Sequence, residues 1–332
     1  MAKLQNKIKN VLDESRILIL GAQVLLGFQY RSAFEARFDA LPPSSKYLLL
    51  TALSLILIVL GLLISPASYH RIVNRGDDTE AFHRFTTAII EIALLPFAFS
   101  LAINFYVATR EVFPFPLAAA AGLIALGTPL YFWYGLELIH RSERFPRTDR
   151  EGSPAHLEDA LEKVKKEGDQ PNRRTPLAEK IDHLLTETRV ALPGAQALLG
   201  FQFVIFLTSP FERLPSSLKY LHLASLSFIT ITTILLMTPA AYHRIVEKGE
   251  STEQFHRFAS RILLASLTTL ALGITGDFFV VVHHVTDSTP LAGALSLLML
   301  FFFYGLWFGL TIYLKNRREE HRKGREILVA SK

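Results

Sequence analysis

Four histidines occupy two copies of one arrangement. Tyr69-His70-Arg71 is followed by Phe82-His83-Arg84, and Tyr242-His243-Arg244 by Phe255-His256-Arg257. Each pair of histidines brackets 12 residues. Three chemistries suit imidazole beside guanidinium. Tyr and His anchor a chain at a membrane surface, where Arg71, Arg84, Arg244 and Arg257 would bind lipid phosphate. Imidazole also changes charge close to neutral pH, so the four histidines are candidate proton gates, with adjacent cations favouring the neutral ring. Haem or metal ligation is the third chemistry, although guanidinium neighbours oppose a divalent cation. Anchoring ranks first and no cofactor is expected; haem or metal through these His residues is the remote alternative.

Ionisable groups inside apolar runs are costly and therefore point to function. Glu91 stands in the run Phe85 to Thr109, and Arg261 and Asp277 stand in Phe258 to Val285. The position matching Arg261 is Ala88, three residues from Glu91, so an ion pair between the two is expected if equivalent helices meet. Asp277 is grouped with His283, His284 and Asp287 as an outer acidic–imidazole cluster, a candidate ion site. His222, just inside its run, is read as a snorkelling side chain. Gln23, Gln29, Gln196 and Gln202 mark two similar segments with Gly21, Gly27, Gly194 and Gly200. These residues suit close helix packing, or a polar path at the centre of an assembly. Arg31 and Glu35, at i and i+4, are expected to pair.

The elements that must position these groups are long and apolar. Of 332 residues 50% are hydrophobic and only 20% charged, with 25 Phe, which excludes a disordered chain and argues against an ordinary soluble enzyme. Tyr47 to Tyr69, Val112 to Leu136, Val190 to Phe211, Tyr220 to His243 and Ser288 to Leu314 contain no Asp, Glu, Lys or Arg. Each is long enough to cross about 30 Å of hydrocarbon as a helix. With the two interrupted runs above and the weaker Ile17 to Tyr30, the reading is all-α integral membrane, with eight transmembrane helices. There is no cysteine, so disulfides and thiolate chemistry are excluded.

The chain repeats itself at an offset of 173. Gly21-Ala22-Gln23 recurs as Gly194-Ala195-Gln196, and residues 66–85 match 239–258 at 14 of 20 positions without a gap. A tandem duplication of a four-helix unit follows, with repeats at 1–144 and 177–317. A charged segment at 145–176, with a short helix expected around 156–167, separates them, and a basic tail covers 318–332. From His140 to Arg189, 22 of 50 residues are charged, which reads as a solvated linker. Basic residues gather at the chain start, the two His-containing loops, the linker and the tail. By the positive-inside rule all of these are cytoplasmic, and two even-numbered units stand parallel as a pseudo-dimer. No removed signal peptide is expected.

Pro193-Gly194-Ala195-Gln196, Leu198-Leu199-Gly200-Phe201-Gln202 and the two Pro-Ala-x-Tyr-His-Arg runs at 66–71 and 239–244 resemble a bacterial family of small four-helix membrane proteins of unknown function. The resemblance implies a bacterial inner-membrane protein; "sodium:proton antiporter" is the label sometimes attached to that family. Two functions are expected in turn. One is a proton or ion pathway, or a proton-coupled transporter, at the repeat interface, gated by Glu91, Arg261, Asp277 and the four loop histidines. The other is a non-transporting scaffold or accessory subunit of a larger membrane complex. No phosphate loop, zinc-protease motif or nucleophile elbow supports an enzyme, and no groove-reading motif supports nucleic-acid binding.

Overall fold

The computed structural model describes residues 2–77, 79–135, 176–248 and 250–330. Among them every regular element is helical. The first half contains α1 (Ala2–Ser32), α2 (Pro43–Ile72), α3 (Glu80–Arg110) and α4 (Phe115–Leu130), the last continued by a π-turn at Tyr131–Gly135. The second contains α5 (Leu177–Ile205), the short α6 (Ser209–Glu212), α7 (Ser216–Ile245), α8 (Glu253–Thr286) and α9 (Thr289–Tyr304). A π-turn at Gly305–Gly309 then leads into α10 (Leu310–Ala330), which runs through the expected tail boundary at 318 without a break. The expected linker and its short helix fall almost wholly outside the described residues.

Local sequence explains the ends. Pro42 and Pro215 precede α2 and α7, and Pro is suited to a helix start because the first N–H groups lack partners anyway. Thr79 and Thr252 cap α3 and α8 by accepting from the backbone N–H of Phe82 and Phe255. That places each Phe-His-Arg triplet in the first turn of its helix. Pro129 lies just before one π-turn, but the second π-turn has Phe302 at the matching position, so proline is not its cause.

Six segments are long and apolar enough to cross a membrane: Pro43–Ile72, Glu80–Arg110, Phe115–Gly135, Ser216–Ile245, Glu253–Thr286 and Thr289–Glu320. The first helix of each half, α1 and α5, is not among them. These two pack along one another at the centre. Gln23 lies against Gly194, and Phe28 against Phe201 with ring centroids 4.4 Å apart, so the two helices run parallel and nearly in register. Gly27 lies beneath the Phe201 ring; a Cβ there would come within 2.1 Å of it, so only glycine admits this approach.

Beyond that seam the halves differ. In each half the second and third helices pair and the fourth lies along the third. The second half, however, also lays α8, α9 and α10 against α2 of the first, whereas α4 stays at the periphery of α3. Trp307, fully buried, donates through Nε1 to the Gly61 carbonyl at 2.8 Å. A Cβ on Gly61 would meet Phe302 at 2.3 Å. The residue matching Gly61 is Ile234, which is exposed. Small-against-large complementarity exists on one side only.

Candidate functional site

Two buried polar clusters lie at opposite ends of the bundle. The one beside the expected cytoplasmic loops, here the inner cluster, joins the halves. Arg71, at the end of α2, donates to Glu187 Oε2 through Nε (3.1 Å) and Nη2 (2.7 Å). His70 Nδ1 is 3.5 Å from Glu187 Oε1, and its ring stacks on Phe82 at 4.6 Å. His183, one turn before Glu187 on α5, is 6.3 Å from the His70 ring. His256 is buried nearby, its Nε2 close to Gly76. Lys180 binds Asp77 at 2.7 Å, and Arg318 donates to Asn74 at 2.7 Å, so α5 and α10 both hold the first hairpin loop.

Glu187 sits three residues before the apolar run Val190 to Phe211. Burial alone would raise its pKa, but Arg71 and His70 outweigh burial and hold the carboxyl at about 2. It is therefore a fixed anion at neutral pH, a counter-charge for the imidazoles around it rather than a proton carrier.

The outer cluster belongs to the second half. His222 Nδ1 is 2.8 Å from Asp277 Oδ1, and its Nε2 faces the Gln202 carbonyl at 3.3 Å. Gln202 Nε2 donates to the other Asp277 oxygen. The Gln202 carbonyl can only accept, so Nε2 carries an N–H, and Nδ1 and the Asp277 carboxyl share a second proton between them. Phe206 and Phe211 enclose the ring at 4.9 and 5.4 Å. Tyr30 of α1 reaches across to the Ile274 carbonyl, one turn before Asp277, at 2.5 Å. A proton can shift from His222 to Asp277 without changing the net charge of the site, which is how such a pair holds a transferable proton in a low-dielectric interior. Glu187 and Gln202 are 15 residues apart on α5, about 22 Å of helix.

Several expectations change. Glu91 and Arg261 are both exposed and form no ion pair, because the halves meet through their first helices rather than their third. Asp277 does not join His283, His284 and Asp287. It faces inward to His222, while His284 reaches Asp39 at 3.4 Å between Phe34 and Phe38, and His283 meets Thr289 at 3.1 Å. His222 is buried rather than snorkelling. The loop histidines do not pair within each hairpin: His70 turns to the second half, while His83 and His243 are half-buried at their own helix ends. Arg71 is committed to Glu187, which leaves Arg84, Arg244 and Arg257 exposed.

The four glutamines line no common path. Gln23 is buried at the seam, Gln29 donates to Ser100 at 3.2 Å, Gln202 serves Asp277 and Gln196 is exposed. Arg31 and Glu35 pair as expected, at 2.6 Å. Glu187, His183 and Asp39 escape a sequence reading because they fall outside the apolar runs; the repeat marked Glu187 only as the match of Glu14. Among the described residues no group of three or more His, Asp or Glu is arranged to hold a metal.

Long apolar helices around buried ionic clusters define a polytopic helical membrane protein. More narrowly, the chain belongs to the family of unknown function DUF6328, which matches residues 1–137 and 171–311. That description assigns no activity and no transport role. No curated protein and no solved structure matches the chain.

Proposed function

We propose that the protein is an eight-span inner-membrane protein, a tandem duplication of a four-helix unit, which moves protons along the seam between its halves. The observation that carries this reading is the Arg71–Glu187 ion pair, buried between the halves beside His70. A fixed carboxylate beside His70, with His183 and His256 close by, gives the inner end imidazoles that can pass a proton among them. At the outer end His222 and Asp277 hold a proton between them. The packed stretch between the two clusters, built on Leu26 and Leu198, is the barrier a conformational change has to open.

α1 and α5 count as spans in this reading although their hydropathy is low. A helix sheltered by neighbours need not face lipid, so a polar stripe at the seam costs it less than it would at the surface. The cationic loops support a cytoplasmic position for both termini and the linker. Exposed Arg84, Arg244 and Arg257 then lie at the headgroups, suited to lipid phosphate. Glu91 and Arg261 lose their gating role to His70, His183 and His256, with His222 and Asp277 as the outer pair.

The test is proton uptake into liposomes containing the purified chain, followed with an internal pH dye. Uptake above protein-free liposomes is expected, with a loss of at least tenfold in His70→Gln and little change in His243→Gln. The scaffold reading draws on the dry packing of Gly27 and Phe28 against Phe201. It requires equal uptake with and without protein, and recovery of the chain within a larger complex.

A further inference from the structure

Two cavities share lining positions related by the repeat. The larger, about 60 Å³, sits between α1, α2, α5, α7 and α8. The smaller, about 10 Å³, is lined by Leu18, Val59, Leu63, Ala93, Leu94 and Phe97. The 173-residue offset carries these six onto Ala191, Thr232, Leu236, Ser266, Leu267 and Leu270, every one of which lines the larger cavity. Two of the differences remove volume, Leu18 to Ala191 and Phe97 to Leu270. The other two introduce a hydroxyl, Val59 to Thr232 and Ala93 to Ser266. The same positions enclose little space in one half; in the other they line a larger, still mainly apolar cavity that gains two hydroxyls.

Two polar side chains, each more than nine-tenths buried, also face the larger cavity with an atom unpartnered among the described residues: Arg16 Nε and Gln23 Oε1. They are seven residues apart on one face of α1, two turns of helix. Glu187 lies at the inner end of the same lining. Buried polar atoms without partners are costly, and about 60 Å³ is more than the space one water needs, provided that it finds two to four polar neighbours.

We infer that the larger cavity, between the two halves, is a hydrated pocket, in which water links Gln23 within the bundle to Arg16 and Glu187 at its inner end. It deepens the proton reading by supplying the inner branch of the path. Its hydration, however, is measured without reference to transport.

Because the chain contains no cysteine, Ser266→Cys and Ala93→Cys each introduce a lone thiol at matching positions. Exchange of S–H to S–D in D2O, followed by infrared spectroscopy on the full chain in liposomes, reads water access directly. The thiol of Ser266→Cys is expected to exchange at least tenfold faster than that of Ala93→Cys. Adding Ala191→Leu and Leu270→Phe, the residues of the filled half, should slow it to the Ala93→Cys rate. Equal rates at the two positions, or no slowing on filling, overturn the proposal. Thr232→Cys against Val59→Cys repeats the comparison if Ser266→Cys fails to fold. Fast exchange without proton uptake would leave the wet cavity standing and remove the transport reading; slow exchange with uptake would do the reverse.

Discussion

Arg71 and Glu187, 116 residues apart, form a buried ion pair across the two halves, whereas Arg244 and Glu14, which occupy the matching positions, are both exposed. The inequality predicts unequal effects. Glu187→Gln leaves a buried guanidinium without its counter-charge, and breaking one partner of such a pair costs about 3–5 kcal/mol. Glu14→Gln removes a solvated charge and should stay within about 0.5 kcal/mol. Thermal unfolding of both variants in one detergent checks the contrast.

Acid should weaken the protein through the same carboxyl. The folded pKa of Glu187 is about 2 against an ordinary 4.5, so the folded state binds its proton less readily than the unfolded chain. The stabilisation is complete above about 4.5 and disappears as pH falls through about 2; the difference amounts to roughly 3 kcal/mol. Unfolding midpoints measured from pH 6 down to 2 should fall less steeply for Glu187→Gln than for the parent chain.

His222 and Asp277 should be separately indispensable and jointly replaceable. The first half has Leu49 and Asn104 at the matching positions. His222→Leu alone strands a buried carboxylate, and Asp277→Asn alone strands an imidazolium or forces it neutral; each should cost several kcal/mol. The double variant restores the uncharged arrangement of the other half and should recover most of the loss. Unfolding of the two singles and the double closes the cycle, and additive losses would show that the two side chains are not coupled.

Gly61 should tolerate no side chain. The Phe302 and Phe303 rings occupy the space beside it, so Gly61→Ile, the residue of the matching position, should overpack the contact by about 1–3 kcal/mol. Ile234→Gly, on an exposed helix face, should cost about 1 kcal/mol through helix propensity alone. Comparing the two by thermal unfolding tests whether the asymmetry between the halves resides in this contact.

Much of the helical layout was legible in the sequence. Charge-free runs such as Tyr47 to Tyr69 and Ser288 to Leu314 report their environment without reference to a partner, and Arg31 and Glu35 are close enough in sequence to meet even though α1 ends at Ser32. The sites were less legible. Residue spacing places His222 and Asp277 on their helices, but not on facing sides across 55 residues. The repeat suggested that equivalent helices meet, and this holds for α1 and α5. It misled for Glu91 and Arg261, because α3 and α8 do not meet across the seam and both side chains are exposed. Glu187 was hidden by its position in a charged lead-in, where burial comes from the other half of the fold. The divergence between halves was visible residue by residue, at Gly61 and Ile234 for instance, but acquired meaning only once Trp307 was seen against one of them.

The most direct measurement is the current that a pH jump drives through the full chain in liposomes adsorbed on a solid-supported membrane. The account predicts a transient absent from protein-free liposomes, reduced at least tenfold in His70→Gln and in Asp277→Asn, and retained in His83→Gln. A current no larger than that of bare lipid, or one indifferent to both His70 and Asp277, would contradict it.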